Sequence, residues 1–389
     1  MSSSLPLPGA EARAVSDALL DRLKERIQQQ GDCLPFDEFM VTVLYEPGLG
    51  YYSNGLTPFG EQGDFITAPE SGSLFGGCLA QSIASVLQQL DHGMVMELGA
   101  GSGVLAADLL GELQQLDALP ERYYMLERSA AMRSLQEETL NNRVPSLMDR
   151  VEWLDELPKQ GICGVVFGNE VADALPVKRF RWQGGVVREL GVAWSGTGLS
   201  MCEYAADAEV DDRVQGLAKT CGWVDDYQSE YCPTLPAWIN SLTDSVTHGA
   251  LLLIDYGYGR SEYYHPQRSM GTLICHYRHS AHDNALWYPG LQDITAFVDF
   301  TAIAEAATEA GLRLEGFTSQ AQFLMACGID KLIARTDPGD TRRFLQLSNE
   351  AKRLMLPSEM GERFKCIGFS RGLDKSVLGF APNDLRSRL

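Results

Sequence analysis

The stretch 93–110, GMVMELGAGSGVLAADLL, constrains the fold of this chain more than any other. A short apolar run leads into a turn with three glycines, and the turn opens directly into a segment rich in alanine and leucine. Glycine lets a backbone turn sharply against a ligand because it carries no Cβ atom. The stretch therefore predicts a buried parallel strand, a ligand-binding turn and a helix. In open α/β sheets, ligands bind beyond the carboxyl ends of such strands.

The spacing of the glycines indicates which ligand the turn binds. A dinucleotide-binding turn has the pattern G-x-G-x-x-G, whereas the third glycine here comes one residue early and Val104 occupies its place. The pattern E-x-G-x-G-x-G is instead typical of class I S-adenosylmethionine (SAM) methyltransferases. The cofactor-binding residues predicted in this stretch are Glu97, Gly99, Ala100, Gly101 and Gly103. Any glycine-rich turn between a strand and a helix resembles this one, so a second feature is needed.

That second feature is an acidic residue after the next predicted strand. Segment 122–126, RYYML, is a candidate strand, and Glu127 follows it directly. SAM-binding sheets place a carboxylate at this point, where it accepts hydrogen bonds from the two ribose hydroxyls. Glu127 in this position favours SAM over other ligands of glycine-rich turns.

Charge and composition narrow the possible partners. The formal net charge of −20 argues against broad binding to nucleic acid backbones, which requires a basic face, and suits a cationic substrate. No run of about 18 apolar residues occurs, so no membrane span is expected.

Nine cysteines without a C-x-x-C pair are expected to be thiols in a reducing compartment. With no signal peptide recognised, we expect a cytoplasmic protein, or a mitochondrial matrix protein if the source is a eukaryote. The oligomeric state is not indicated.

The 389 residues suggest a helical cap followed by a larger domain. We expect a cap over 1–92 and a methyltransferase domain over 93–389, with an insertion at about 178–248. Within the insertion, 178–204 predicts an antiparallel hairpin or meander, and 225–242 predicts a helix interrupted near Pro233.

The loop 60–70, GEQGDFITAPE, lies within the predicted cap. We predict that Asp64, Phe65 and Thr67 line the cofactor pocket as part of a lid. A solvated surface loop is the alternative, because most long loops bind nothing.

The order of predicted elements is β-α-β-α-β-β-insertion-β-α-β-β. It indicates an α/β protein with a Rossmann-like class I methyltransferase sheet, mostly parallel with an antiparallel terminal strand. A doubly wound dehydrogenase would need a second three-stranded half.

Five motifs, in order, resemble the MidA-like family of SAM-dependent methyltransferases over about 35–328. They are GDFITAPE, MELGAGSG, FGNEVADALPV, LLIDYGYG, and GTLICHYRH followed by PGLQDITAFVDF. The eukaryotic branch of that family methylates an arginine of a mitochondrial respiratory subunit. The resemblance implies a methyl donor, SAM, and a protein acceptor, but it does not identify the acceptor of the bacterial branch.

The predicted catalytic residues follow the fourth strand. Carboxylates that fork onto a guanidinium can orient its terminal nitrogen and neutralise charge. Glu170 and Asp173, with the neighbouring Asn169, suit that task. The alternative is that Asp173 caps a helix and Glu170 is merely exposed.

Three histidines recur at every third position, His276, His279 and His282. Histidine zinc sites usually use i, i+4 spacing or nearby cysteines, so no metal is expected here. We predict instead a loop whose Tyr277, Arg278 and His279 bind the substrate. Asp293 is a further substrate-binding candidate. Asp293 and Asp299 are interpreted either as carboxylates that support the residues of the site or, equally, as helix N-caps.

The predicted function is SAM-dependent methylation of a protein, with arginine as the acceptor. A non-catalytic assembly protein that retains the SAM-binding fold is the alternative. A small-molecule methyltransferase would share the same cofactor site.

Overall fold

The computed structural model describes residues 5–56, 68–223, 226–337, 339–381 and 383–389. The chain divides into two compact units, and each is described by itself. The first unit comprises Met1–Phe65, Asp173–Leu235 and Gly259–Asp299; the second comprises Ile66–Ala172, Pro236–Tyr258 and Phe300–Leu389. The domain boundary predicted at residue 92 stays a prediction.

The described residues form twelve α-helices and three short 3-10 segments. The helices are α1 Ala10–Gln29, α2 Phe36–Tyr45, α3 Leu74–Leu87, α4 Val104–Gln115, α5 Ala130–Arg143, α6 Ala208–Cys221, α7 Leu235–Ser245, α8 Arg260–Tyr263, α9 Phe300–Glu309, α10 Gln320–Ala326, α11 Ile329–Ala334 and α12 Thr341–Met355. The 3-10 segments are Pro69–Ser71, Pro145–Arg150 and Arg386–Arg388. None of the helices in the described part of the chain has the length and apolar character needed to cross a membrane.

The described residues also form sixteen strands. They are β1 Leu34–Pro35, β2 Met94–Leu98, β3 Tyr123–Leu126, β4 Val151–Leu154, β5 Ile162–Asn169, β6 Lys178–Gln183, β7 Val186–Trp194, β8 Leu199–Ala205, β9 Tyr227–Tyr231, β10 Val246–Tyr258, β11 Ile274–Tyr277, β12 Ser280–His282, β13 Asp293–Thr295, β14 Val298–Asp299, β15 Arg313–Ser319 and β16 Phe364–Arg371.

The second unit is built on a sheet with the strand order β15-β16-β10-β5-β2-β3-β4. The neighbours from β10 to β4 are parallel, and β16 is antiparallel to both β10 and β15. This arrangement confirms the predicted class I methyltransferase sheet with its antiparallel terminal strand. The carboxyl ends of β2, β3, β5 and β10 consequently lie next to one another at one edge.

Strand β5 is central in the sheet because apolar residues lie on both of its faces. Strand β5, ICGVVFGN, is buried along nearly its whole length, as expected for a parallel strand with both faces covered. Its Val165 and Phe167 belong to one core cluster with Ile83 of α3 and Leu109 of α4, and none of these side chains is exposed. Burying an apolar side chain of this size contributes about 1.5 to 3 kcal/mol.

The first unit contains an antiparallel sheet with the order β1-β7-β6-β9, to which β8 adds through β7. Strands β6, β7 and β8 confirm the predicted meander over 178–204. The helix predicted over 225–242 is wrong in its first half, because β9 pairs with β6 and helix α7 begins only at Leu235. Trp223 stacks on Tyr227 of β9 with 4.2 Å between the ring centroids and on Phe180 of β6 with 5.7 Å, which stabilises the strand pairing.

Cysteines 33 and 202 form a disulfide in the first unit, so the prediction that all nine are thiols is wrong for this pair. The sheet brings them together, because β1 and β8 both pair with β7. Cys202 lies opposite Gly191 of β7, and a Cβ at Gly191 would lie 3.0 Å from the Cys33 sulfur. The glycine thus leaves room for the bridge across β7.

Candidate active site

The glycine turn connects β2 to α4 in the second unit. Gly99, Gly101 and Gly103 have φ values of 61°, 51° and 82°, in the left-handed region that favours glycine. A Cβ at Gly103 would lie 3.1 Å from the Cα of Gln136, so helix α5 packs directly on the turn. The predicted strand, turn and helix are all present. The predicted contact of the turn with a cofactor is untested and stays a prediction.

Glu127 follows β3, the neighbour of β2. Its Oε1 accepts a hydrogen bond from the Ser129 amide at 2.8 Å, and its Oε2 accepts one from the Gln136 Nε2 at 3.3 Å. The same nitrogen donates to the Gly101 carbonyl oxygen at 2.9 Å. Gln136 therefore joins the glycine turn to the predicted ribose-binding carboxylate. Only helical periodicity marks Gln136 in the sequence, and that signal points to burial without indicating a role.

Glu97 lies in β2 with 2% of its surface exposed. Its Oε2 accepts a hydrogen bond from the Tyr123 hydroxyl at 2.6 Å. Burial raises the pKa of Glu97 to about 7, against the opposing effect of the Tyr123 hydrogen bond. In the structure the hydrogen-bond partner of Glu97 is therefore a buried residue, Tyr123. The predicted contact of Glu97 with the cofactor stays a prediction. Ala100, also predicted to bind the cofactor, is buried within the turn.

One acidic residue from the preceding segment reaches the glycine turn. The Ser102 hydroxyl donates a hydrogen bond to Glu70, which lies in the 3-10 segment Pro69–Ser71. Glu70 is the last residue of the GDFITAPE motif. The predicted lid residues of this motif, Asp64, Phe65 and Thr67, lie outside the described residues.

Glu170 occupies a strained turn beyond the end of β5. Its φ of 53° is rare for a residue with a side chain, and such conformations concentrate at functional sites. The Glu170 amide donates to the Ile254 carbonyl at 2.9 Å. Two further hydrogen bonds fix the turn, from the amides of Val171 (3.2 Å) and Ala172 (2.9 Å) to Asp255 Oδ2. Asp255 belongs to the LLIDYGYG motif, and nothing in the sequence indicated this role.

The Glu170 turn lies beside the glycine turn. Leu98 of β2 pairs with Gly168 of β5, so the two strands end together. A Cβ at Gly99 would lie 3.3 Å from a methyl group of Val171. The half-buried Glu170 therefore lies at the same sheet edge as the glycines.

Asn169, the third predicted catalytic residue, ends β5. Its Nδ2 donates to Glu170 Oε1 at 3.2 Å. Its buried Oδ1 accepts no hydrogen bond from the described residues. A buried oxygen without a donor costs about 1 to 3 kcal/mol, so a ligand that supplies an N–H group would be favoured at this point.

The first unit holds two more of the predicted acids, Asp173 and Asp293, with 6% and 3% of their surfaces exposed. The Tyr52 hydroxyl donates to Asp293 Oδ1 at 2.9 Å, and Tyr45 stacks on Tyr52 with 5.5 Å between ring centroids. Burial raises the pKa of both tyrosines, and the charges of Asp293 and Asp173 add to this effect. Two carboxylates and two aromatic rings thus form one acidic, aromatic cluster.

The histidine segment forms a hairpin rather than the predicted loop. His276 and Tyr277 lie in β11, and Arg278 and His279 form the turn with φ values of 46° and 62°. Burial lowers the pKa of His276, with a smaller effect from His282. Among the residues that the structure describes, no group of three or more His, Cys, Asp or Glu side chains is arranged to hold a metal ion. The substrate-binding roles of Tyr277, Arg278 and His279 stay predictions.

The residues at the sheet edge of the second unit fit SAM. The left-handed glycine turn gives a ligand close access to backbone. Glu127 has two carboxylate oxygens beside this turn, as the predicted contact with a pair of ribose hydroxyls requires. Together with the strand order, these features define a class I SAM-dependent methyltransferase.

Comparison with known proteins agrees with this class. Residues 78–318 match the model of a family named "putative S-adenosyl-L-methionine-dependent methyltransferase", and the chain belongs to this family. A methyl transferase candidate from Burkholderia thailandensis, crystallised with S-adenosyl-homocysteine, is 42% identical with a TM-score of 0.95. The match covers 99% of this chain and 100% of that one. The cofactor of the present chain is SAM.

Mitochondrial proteins are among the relatives. The rat protein arginine methyltransferase NDUFAF7 is 30% identical over 89% of this chain and 83% of its own length. The Caenorhabditis elegans homologue of that enzyme is 28% identical over 92% of this chain and 87% of its own length. The cellular location of the present chain stays a prediction.

Proposed function

We propose that this chain methylates an arginine side chain of a protein, with Glu170 as the carboxylate that binds the guanidinium. The observation that carries the proposal is the strained turn that presents Glu170 beside the glycine turn. A left-handed conformation costs roughly 1 to 3 kcal/mol at a residue with a side chain. The proposed benefit is a carboxylate held next to the site of methyl transfer.

Methyl transfer requires the protein mainly to align the acceptor with the methyl group and to neutralise the charge of the guanidinium. SAM supplies an electrophilic methyl group when bound. An arginine acceptor must present one terminal nitrogen in line with that group. The nitrogen–methyl bond would form as the sulfur–methyl bond breaks, S-adenosylhomocysteine would leave, and the proton lost by the nitrogen would pass to water. We propose that Glu170 accepts hydrogen bonds from the guanidinium, and that Asn169 Oδ1 accepts another. A carboxylate fixed in place disperses the charge of the guanidinium without reorganising during the reaction.

The composition of the first unit also suits a cationic acceptor. Its cluster of Asp173, Asp293, Tyr45 and Tyr52 combines negative charge with aromatic faces, both of which attract a guanidinium. The net charge of −20 raises the local concentration of basic peptides. The arginine methyltransferases among the relatives support the same acceptor.

The test identifies the methylated atom. The purified chain is incubated with a cell lysate and SAM that carries a labelled methyl group, and labelled proteins are digested and sequenced by mass spectrometry. We expect label on arginine. The acceptor is then prepared with that arginine changed to lysine, and labelling should disappear. Label on a small molecule would overturn the choice of acceptor, and no label on any molecule would favour the non-catalytic alternative.

A further inference from the structure

The buried side chain of Gln136 connects three elements of the second unit. No part of this residue is exposed. Its Nε2 donates to the Gly101 carbonyl and to Glu127 Oε2, at 2.9 and 3.3 Å. Its Oε1 accepts a hydrogen bond from the Trp153 indole N–H at 2.9 Å. One amide group from α5 thus contacts the glycine turn, the end of β3 and the strand β4.

The orientation of this amide follows from its partners. An indole nitrogen can only donate, so the atom facing Trp153 must be the oxygen. A backbone carbonyl can only accept, so the atom facing Gly101 must be the NH2 group. Rotating the amide by 180° would break both hydrogen bonds. The position of the NH2 group relative to Glu127 is therefore fixed.

Glu127 is held from two sides. The Ser129 amide occupies one lone pair on Oε1, and Gln136 occupies one on Oε2. Each carboxylate oxygen has two lone pairs, so each retains one for a further donor. Two fixed donors, one per oxygen, define the plane of the carboxylate, and this leaves the two remaining lone pairs as a matched pair of acceptors.

We propose that Gln136 is a positioning residue for the cofactor, and that it makes the site selective for a ribose with both hydroxyls intact. It holds the Glu127 carboxylate at a fixed distance and angle from the glycine turn, so that the two oxygens receive the two hydroxyls together. The inference rests on the proposed placement of SAM between the Gly101 turn and Glu127. A residue with a purely structural role would affect the binding of every cofactor analogue equally.

The test compares S-adenosylhomocysteine with its 2′-deoxyribose analogue by calorimetry. The wild type should bind S-adenosylhomocysteine at least about tenfold more tightly than the 2′-deoxyribose analogue, because the analogue lacks a hydrogen bond to a charged group. Gln136→Met keeps the volume and removes all three hydrogen bonds. We expect it to weaken the binding of S-adenosylhomocysteine about tenfold and to reduce the preference for intact ribose to about twofold.

A matched control is available at Gln320, which is also fully buried and donates from its Nε2 to the Leu354 carbonyl at 3.0 Å. Gln320→Met should lower the thermal midpoint and leave the ribose preference unchanged. An unchanged ribose preference in Gln136→Met would overturn the proposal.

A double-mutant cycle separates this inference from the placement of the cofactor. If Gln136 acts through Glu127, adding Gln136→Met to Glu127→Ala should change the affinity for S-adenosylhomocysteine less than about twofold. Additive losses would overturn the coupling but leave the placement standing. No loss in Glu127→Ala alone would overturn both.

A second variant covers the case in which Gln136→Met does not fold. Trp153→Phe removes the donor that fixes Gln136 Oε1 and leaves the turn and Glu127 intact. The amide is then held through its NH2 group alone and is less firmly positioned. We therefore expect the ribose preference to fall by a factor of about three, a smaller loss than in Gln136→Met. Full retention of the preference in Trp153→Phe would contradict the proposal.

Discussion

Two turns at the same edge of the sheet are fixed in opposite ways. The glycine turn after β2 reaches left-handed conformations with residues that lack side chains, and a buried amide, Gln136, holds one of its carbonyl groups. The turn after β5 reaches the same region with Glu170, and a buried carboxylate, Asp255, holds two of its amides. The first turn exposes backbone, and the second presents a side chain.

The backbone strain of the two turns is unequal, and so is the support that each turn requires. Glycine adopts a positive φ at no steric cost, so the first turn needs little support. A glutamate in the same conformation is maintained only when its surroundings determine the conformation fully. The three hydrogen bonds around Glu170, two to Asp255 and one to Ile254, supply that support. We therefore expect changes to the first turn to affect cofactor binding and changes to the second to affect turnover.

The largest expected effect is that of Glu170→Gln. The side chain keeps its shape and loses its charge, so the guanidinium loses its main anionic partner. We expect the turnover number to fall by about 10³-fold, the upper end of the range for removing one preorganised hydrogen-bonding group from an active site. The affinity for S-adenosylhomocysteine, measured by calorimetry, should change less than about twofold. Turnover within about threefold of the wild type would show that Glu170 does not bind the acceptor.

The next largest expected effect is a dependence of stability on pH, which follows from the ionisation of Glu97. Its pKa is raised from 4.5 to about 7 because burial disfavours the charged form. The folded state therefore binds this proton more tightly than the unfolded chain. The resulting stabilisation is fully present below pH 4.5 and is lost as the pH rises through about 7. The total change corresponds to about 3 kcal/mol, from about 1.4 kcal/mol per pKa unit.

Urea unfolding of the wild type and of Glu97→Gln at several pH values measures this change. The glutamine side chain of the variant does not titrate, so the variant should gain stability relative to the wild type by about 3 kcal/mol between pH 4.5 and about 8. A difference that stays constant over this range would show that Glu97 does not titrate with a raised pKa.

Features whose physical cause lies among residues close together in the sequence were predictable. The parallel sheet follows from unalternating apolar runs such as β5, and the glycine turn follows from the spacing of three residues. Glu127 could be placed because it comes directly after a strand. In each case the physical cause lies within about ten residues of chain.

Long-range contacts could not be predicted in this way. The hydrogen bond from Gln136 to Gly101 spans 35 positions, and the one from Ala172 to Asp255 spans 83. The disulfide joins cysteines 169 positions apart, and only the register of three strands brings them together. Strand β9 was mistaken for a helix because its pairing with β6 overrides local preference. Such features depend on the fold as a whole.

The smallest expected effect comes from Asp255→Asn. Asp255 is 2% exposed, and its Oδ1 also accepts a hydrogen bond from the Tyr256 amide at 2.9 Å. Asparagine has one oxygen and one NH2 group, so at least one backbone amide would face a donor instead of an acceptor. The turn at Glu170 would then be held less firmly. We expect the turnover number to fall about tenfold, with an unchanged affinity for S-adenosylhomocysteine.

Loss of stability alone could also lower turnover, and a control distinguishes the two causes. Glu315 accepts hydrogen bonds from the Ser370 hydroxyl at 2.5 Å and the Val377 amide at 3.2 Å. Glu315 also accepts two hydrogen bonds from the Arg313 guanidinium. Glu315→Gln thus removes another carboxylate that accepts several hydrogen bonds, on β15, which is separated from β10 by β16. Both variants should have a lower thermal midpoint, but only Asp255→Asn should lower turnover when each is assayed well below its midpoint. Equal turnover in the two variants would mean that the strained turn keeps Glu170 in place without Asp255, and the contrast between the two turns would then lie only in their residues.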